Sequence, residues 1–327
     1  MPVGCIPENT VVISTILIKI YLLESLISFE NSLSALAGLR NIILIGSLYG
    51  FHGVITRSLV IENINEPFLV TTRIFCVTII FGIYARKDFS NQINFDYFKK
   101  GALSGFLAIY LPGWTFIYAL NFISSGLNSI FISTIPMFTL VWVYLFYKEE
   151  KVTKLKIISV IFGFIGLLIL FQSGISGIQN GGNLIFGGML SLIGVQGLAL
   201  SNITNRKYSQ YIPYKTFMLT QWLTGSVMSV LTYIFVGGEI SKLETQAFIR
   251  LFALISIDVI SYSLFLYTIK RISATFTTLV DYIVPVVGIS AGFFFLGEFV
   301  DNIFFVTLML IFISLFLAVR DESTNFK

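Results

Sequence analysis

Apolar residues run through this chain in long blocks, and the polar and charged residues gather in the short stretches between them. A helix needs about 20 apolar residues to cross the bilayer core. The pattern predicts ten such spans: Asn41–Val60, Pro67–Tyr84, Gly101–Phe122, Gly126–Phe146, Ile157–Phe171, Leu184–Thr204, Thr216–Val236, Leu251–Ile269, Thr275–Leu296 and Ile303–Val319. The connections are brief and carry turn chemistry, as in the glycine-bearing stretch Ser173–Asn183. The expected fold class is an all-α polytopic membrane protein.

The blocks also repeat. Tyr118, Ile123, Ser124, Pro136, Phe146 and Glu149 recur without a gap, 149 residues on, as Tyr267, Ile272, Ser273, Pro285, Phe295 and Glu298. An internal repeat sets the architecture before any other feature does. Ten spans divide into two halves of five, and because five is odd the second half enters from the opposite side. Two inverted five-helix repeats, over residues 40–173 and 184–320, are a recurring transporter plan. Residues 1–39 form an N-terminal extension outside the repeat. Within it Val11–Phe29 is apolar but carries Lys19 and Glu24, and we read it as a membrane-surface helix. An eleventh span there, or an uncleaved signal-like segment, would move the N-terminus outside. Residues 321–327 make a short tail.

Composition agrees with a lipid-solvated protein. Hydrophobic residues are 56% and charged residues 12%, against about 25% charged in a soluble domain, and mean hydropathy is +0.87. The net charge of +4 reflects loops facing the cytoplasm and does not point to nucleic acid. With the N-terminus inside, the outward segments hold only Arg57, Lys242 and Arg250, and Arg73 lies within a span. Every other basic residue of the 21 faces inward, as the positive-inside rule requires. Both termini are expected in the cytoplasm, with the protein in the cytoplasmic (inner) membrane. Cys5 and Cys76 show no metal spacing, so neither metal nor cofactor is expected. No Ser/His/Asp set or phosphate loop suggests an enzyme.

The repeated segments YALNFISSGLNSIFISTIPMFTLVWVYLFYKEE and YTIKRISATFTTLVDYIVPVVGISAGFFFLGE resemble the paired repeats of the EamA branch of the drug/metabolite transporter superfamily. The following span ISVIFGFIGLLIL and the Pro67…Arg73 pairing are similar to that family too. The resemblance implies a ten-helix carrier of amino acids or other small metabolites, a subset of the family carrying S-adenosylmethionine. Two departures stand out. Asp281 occupies a position that usually looks uncharged, and Lys148 stands where the second half has Gly297.

An ionisable group at the centre of a span costs roughly 2.5–3.5 kcal/mol on insertion scales, so His52, Arg73, Asp258 and Asp281 each invite a functional reading. At the helical rise, Arg73 and Asp258 lie roughly 9 and 10 Å below the outer ends of their spans. They are placed to pair or to flank a zwitterion. Arg73 suits a substrate carboxylate held in a bidentate fork, or else a structural anchor bonded to a neighbouring helix. Asp258, with Ser261 and Tyr262 on the same face, suits an ammonium or a coupling proton. His52 reads as a proton relay or as a neutral histidine bonded to a neighbour, and Asp281 is solvated by Tyr282 or binds substrate. Tyr110, Trp114 and Tyr118 share one helix face and read as a cavity wall or as plain packing. Pro136 and Pro285 each remove a backbone hydrogen bond and read as matched hinges. Glu149 and Glu298 are expected to cap or tether loops.

The expectation is a secondary transporter of a small metabolite, an amino-acid-like zwitterion, working by alternating access with a small-molecule substrate, the lipid bilayer and a coupling proton as partners. Uptake of S-adenosylmethionine or a nucleotide-like metabolite is the alternative within the class. A channel, or a membrane sensor without coupled transport, is the alternative outside it.

Overall fold

The computed structural model describes residues 34–92, 95–146, 153–179, 181–271 and 280–325. Each predicted apolar block is helical over most of its described residues, and ten helices follow one another among the described residues. The first half contains α1 (Ser34–Ile61), α2 (Glu66–Gln92), α3 (Phe95–Ala119), α4 (Ser125–Phe146) and α5 (Lys154–Ser173). The second contains α6 (Leu184–Tyr208), α7 (Tyr214–Phe235), α8 (Thr245–Arg271), α9 (Val280–Leu296) and α10 (Asn302–Asn325). The readings of Val11–Phe29 and Glu149 lie outside the described residues.

Among the described residues, six helices are long and apolar enough to cross a membrane: α1, α2, α3, α4, α6 and α8. Shorter apolar helices lie in α5, α9 and α10. The remaining helix, α7, is more polar for a reason that packing explains. It lies against α2 and α3, and its buried Thr216, Thr220, Gln221, Ser226 and Ser229 face protein instead of lipid. Such side chains act as interhelical glue where no water is present. Several boundaries also move. Helix α3 begins at Phe95, before the expected Gly101, and α10 runs on to Asn325, through most of the expected tail.

The packing repeats as the sequence does. Helices α2 and α7, α4 and α9, and α5 and α10 pack directly on one another, and each pair joins equivalent members of the two halves. The contact of α3 with α7 is matched by α8 with α2. That of α4 with α6 is matched by α9 with α1, where Gly46 and Gly50 lie against Ile283 and Val287. A two-fold relation between two inverted five-helix repeats produces these matched contacts. The compact unit Ile42–Lys327 contains all of them.

Two helices are irregular where they meet the interior. A π turn over Phe106–Tyr110 interrupts α3 just ahead of Pro112, which cannot donate to the carbonyl one turn back. Helix α4 breaks at Ser133–Thr134, and Pro136 sits at the start of the segment that resumes at Ile135, where its missing N–H costs nothing. Its partner Pro285 lies inside an unbroken α9. The matched prolines therefore shape their helices differently.

Candidate functional site

A cavity of about 510 Å³ lies between the two halves, within the range of small-molecule sites, roughly 300–1,000 Å³. Its lining follows the repeat offset. His52 and Ser201, Gly53 and Asn202, Thr56 and Asn205, Gly113 and Tyr262, and Phe116 and Phe265 are offset-matched pairs, and both members of each line the cavity. So do Arg73 and its counterpart Trp222, Ile109 and Asp258, and Ile132 and Asp281. The cavity thus sits on the pseudo-two-fold relation, with equivalent walls of unlike chemistry.

Three ionisable side chains meet on one wall. Arg73 Nη1 donates to Asp258 Oδ2 at 2.7 Å and to His52 Nε2 at 2.7 Å. His52 Nε2 is 3.5 Å from Asp258 Oδ1. A guanidinium only donates, so His52 Nε2 accepts, and the imidazole is neutral with its proton on Nδ1. Helices α1, α2 and α8 supply the three groups, which no local stretch of sequence could bring together. Arg73 and Asp258 side chains are only 11% and 8% exposed, and pairing with hydrogen bonds is what makes such burial tolerable. Arg73 Nε and Nη2 make no hydrogen bond among the described residues. That edge is the one a carboxylate engages in a bidentate fork.

A neutral network borders this wall. Tyr262 donates to Gln221 Oε1. Gln221 Nε2 donates to Asn205 Oδ1 at 2.8 Å and to Ser104 Oγ at 3.1 Å, and Ser104 Oγ donates to the same Asn205 oxygen at 2.6 Å. Trp222 stands edge-on to Tyr262, ring centroids 5.4 Å apart. Its buried indole N–H has no hydrogen-bond partner among the described residues, an expensive state for a buried donor.

Of the residues singled out in the sequence, His52, Arg73, Asp258, Tyr262 and Asp281 line the cavity. Tyr110, Trp114 and Tyr118 do not, which corrects their reading as a cavity wall. Tyr110 Oη bonds Thr232 Oγ1 at 2.7 Å and Trp114 Nε1 donates to Ser229 Oγ at 3.0 Å, so the stripe faces α7. Tyr118 stacks on Trp114, centroids 6.1 Å apart. The face of α3 turned to the cavity carries Ile109, Pro112, Gly113 and Phe116 instead. Tyr49, Asn128 and Ser129 also line it and were not anticipated. Asn205 and Ser201 were within reach of the sequence, as the 149-offset partners of Thr56 and His52. Pro136 and Pro285 would free the carbonyls of Ile132 and Asp281, four residues earlier, and both of these line the cavity. Freed carbonyls at membrane depth are tolerated against protein or a watery cavity.

The two ends of the cavity differ. At one end the lining includes Arg206, Lys207 and Gln210, all exposed. At the other it stops at Thr56, Leu120 and Ser125. There Arg57, the repeat partner of Arg206, donates to the Leu120 carbonyl. Gly297, in the left-handed region at φ +61, ends α9 and turns Glu298 back over the start of α4. Glu298 accepts from the Ser125 N–H at 2.7 Å, the Ser125 hydroxyl at 2.8 Å and the Gly126 N–H at 3.1 Å. A carboxylate at a helix N-terminus satisfies orphan donors and complements the helix dipole. The expected capping role of Glu298 therefore takes the form of a tie between the two halves.

A polytopic helical bundle of two repeats around one shared cavity defines the class as a membrane transporter. The EamA-like transporter family matches residues 36–172 and 185–320, and the chain belongs to that family. No curated protein matches the sequence significantly. A solved crystal structure, titled only as that of a protein, is 16% identical with a TM-score of 0.54, covering 84% of this chain and 96% of the other. That likeness supports the fold.

Proposed function

We propose that the protein is a secondary transporter of an amino-acid-like zwitterion, moved by alternating access across the cytoplasmic membrane. The observation that carries this reading is the free Nε/Nη2 edge of Arg73 beside Asp258 in the shared cavity. A substrate carboxylate takes the free edge, and its ammonium sits against Asp258, so the loaded wall stays electrically balanced. Neutral groups from Trp222, Tyr262, Asn205 and Ser129 complete a pocket for a side chain of mixed character.

The Lys/Arg bias of the loops, Arg206 and Lys207 among them, supports an orientation with that end and both termini in the cytoplasm. The conformation is then inward-facing, open past Arg206 and held shut by Arg57 and Glu298 on the outside. Exchange of the two repeat conformations would reverse this, as in other inverted-repeat carriers.

The test is counterflow and saturable uptake of labelled amino acids in proteoliposomes. Arg73→Lys keeps the charge but loses the fork and should lower transport efficiency ~10- to 100-fold for carboxylate-bearing substrates. Asp258→Asn should act on substrates with a free ammonium. If both variants carry every zwitterion tested as well as the parent protein does, the clamp is wrong. Flux without saturation or counterflow would identify a channel. A second reading, S-adenosylmethionine or a nucleotide-like metabolite, draws on the aromatic lining of Trp222, Tyr262, Phe116 and Phe265, and the same assay with labelled nucleosides separates it.

A further inference from the structure

One charge in the cavity remains after the clamp is accounted for. Arg73 and Asp258 cancel each other, a zwitterion adds one charge of each sign, and Arg206 and Lys207 are exposed at the mouth. Asp281 is left over. It lines the cavity from α9 and has no hydrogen-bond or ion-pair partner among the described residues. Its neighbours Val280 and Val284 are buried in an apolar cluster with Ile42, Ile45 and Leu264.

Among the described residues, the groups around it supply no cation. The charge of Asp281 reaches two titratable neighbours, Tyr49 from α1 and Tyr282 from its own helix. Helix α4 brings Ile132 and Ser129 to the cavity, and α10 brings Phe312 onto Tyr282. His52 and Arg73 line the same cavity from α1 and α2, and Asp258 and Tyr262 from α8, but the arginine is committed to Asp258. Ile132 occupies the equivalent position of the first repeat, so the carboxylate belongs to one half only.

We propose that Asp281 is the proton-binding site that couples substrate movement to the proton gradient. This rests on the transporter reading above and names its driving ion. In the present state the cavity that Asp281 lines reaches the exposed Arg206 end. Closing that end takes it out of water, and an unpaired carboxylate is strongly disfavoured in a low-dielectric enclosure. A proton transferred from water to Oδ removes the charge, so the carrier closes readily only when Asp281 is protonated. The proton returns to water when the cavity opens on the opposite face, and one proton crosses with each substrate. No other bond is made or broken.

The full-length protein in proteoliposomes tests this with a mixture of labelled neutral L-amino acids. An acid-outside pulse should drive accumulation in the parent protein. Asp281→Asn should hold internal label at the equilibrium level while counterflow stays within about 3-fold of the parent rate, and Asp281→Glu should restore accumulation. Proton-driven accumulation by Asp281→Asn overturns the proposal. So does joint loss of counterflow and accumulation in Asp281→Asn with unchanged thermal stability, which would make Asp281 a direct substrate contact. Infrared difference spectroscopy on the substrate-free protein provides an independent arm. A protonated carboxyl band that titrates with pH should be present in the parent protein and absent from Asp281→Asn. If the parent protein shows that band but moves no amino acid, the zwitterion reading fails and the proton site stands. If the band persists in Asp281→Asn, the proton site fails.

Discussion

Arg73 has two edges, and the fold uses them differently. One nitrogen holds Asp258 and His52, and the opposite edge makes no hydrogen bond among the described residues. The similar depths of Arg73 and Asp258 were legible from the helical rise alone, because depth along a helix depends only on residue count. The direction of a side chain around the helix was not legible. Tyr110, Trp114 and Tyr118 share a face, but which neighbour that face meets depends on where α7 lies. Trp222 shows the same limit in reverse: its offset match to Arg73 can be read from the chain, and its orphan indole N–H cannot. If that N–H serves the substrate, Trp222→Phe should raise KM roughly 2- to 10-fold with maximal rate retained, the worth of one hydrogen bond. Uptake kinetics in proteoliposomes would show it, and an unchanged KM would remove Trp222 from the binding set.

At the scale of elements, close approach and irregularity shape the interior. Gly105 allows α3 to cross α7 so closely that a Cβ there would stand 2.6 Å from the Gln221 Cα. Neither backbone can yield without moving the network that Gln221 holds. Gly105→Ala is therefore expected to destabilise the protein by about 1–3 kcal/mol, seen as earlier thermal unfolding in detergent. Gly82→Ala serves as the control, since its nearest new neighbour is Leu219 Cδ1 at 4.0 Å, and should unfold as the parent does. The π turn of α3 and the break in α4 were not legible in the sequence. At the α4 break the hydroxyls of Ser133 and Thr134 donate to the carbonyls of Ile130 and Phe131, and α7, expected as Thr216–Val236, is more polar than the other spans because its polar face packs on α2 and α3.

At the scale of the whole molecule, one end of the cavity is closed and the other open. The closed end relies on Arg57 with the Leu120 carbonyl and on Glu298 with the start of α4. Weakening both ties in Arg57→Ala/Glu298→Gln should shift the protein toward its outward-open state. Each tie is comparable to a helix cap, about 1 kcal/mol, so losing both should give on the order of 30-fold more outward-open protein. Labelling of Ser129→Cys by an impermeant thiol reagent, on a background lacking Cys5 and Cys76, would report the shift. Equal labelling with and without the ties would mean that they do not gate the cavity.

The sequence by itself determined the membrane class, the ten apolar blocks, the two repeats and the charges that break their symmetry. Those follow from composition, span length and a fixed offset, all of which are properties of the chain in order. Only the tertiary structure decided that Arg73, His52 and Asp258 meet, that Asp281 lines the cavity without an ion-pair partner among the described residues, and that Arg57 is latched while Arg206 lines an opening. Partnership inside a helical bundle is set by the rotation and crossing of helices far apart in the chain, and neither quantity is written in the spacing of any one of them.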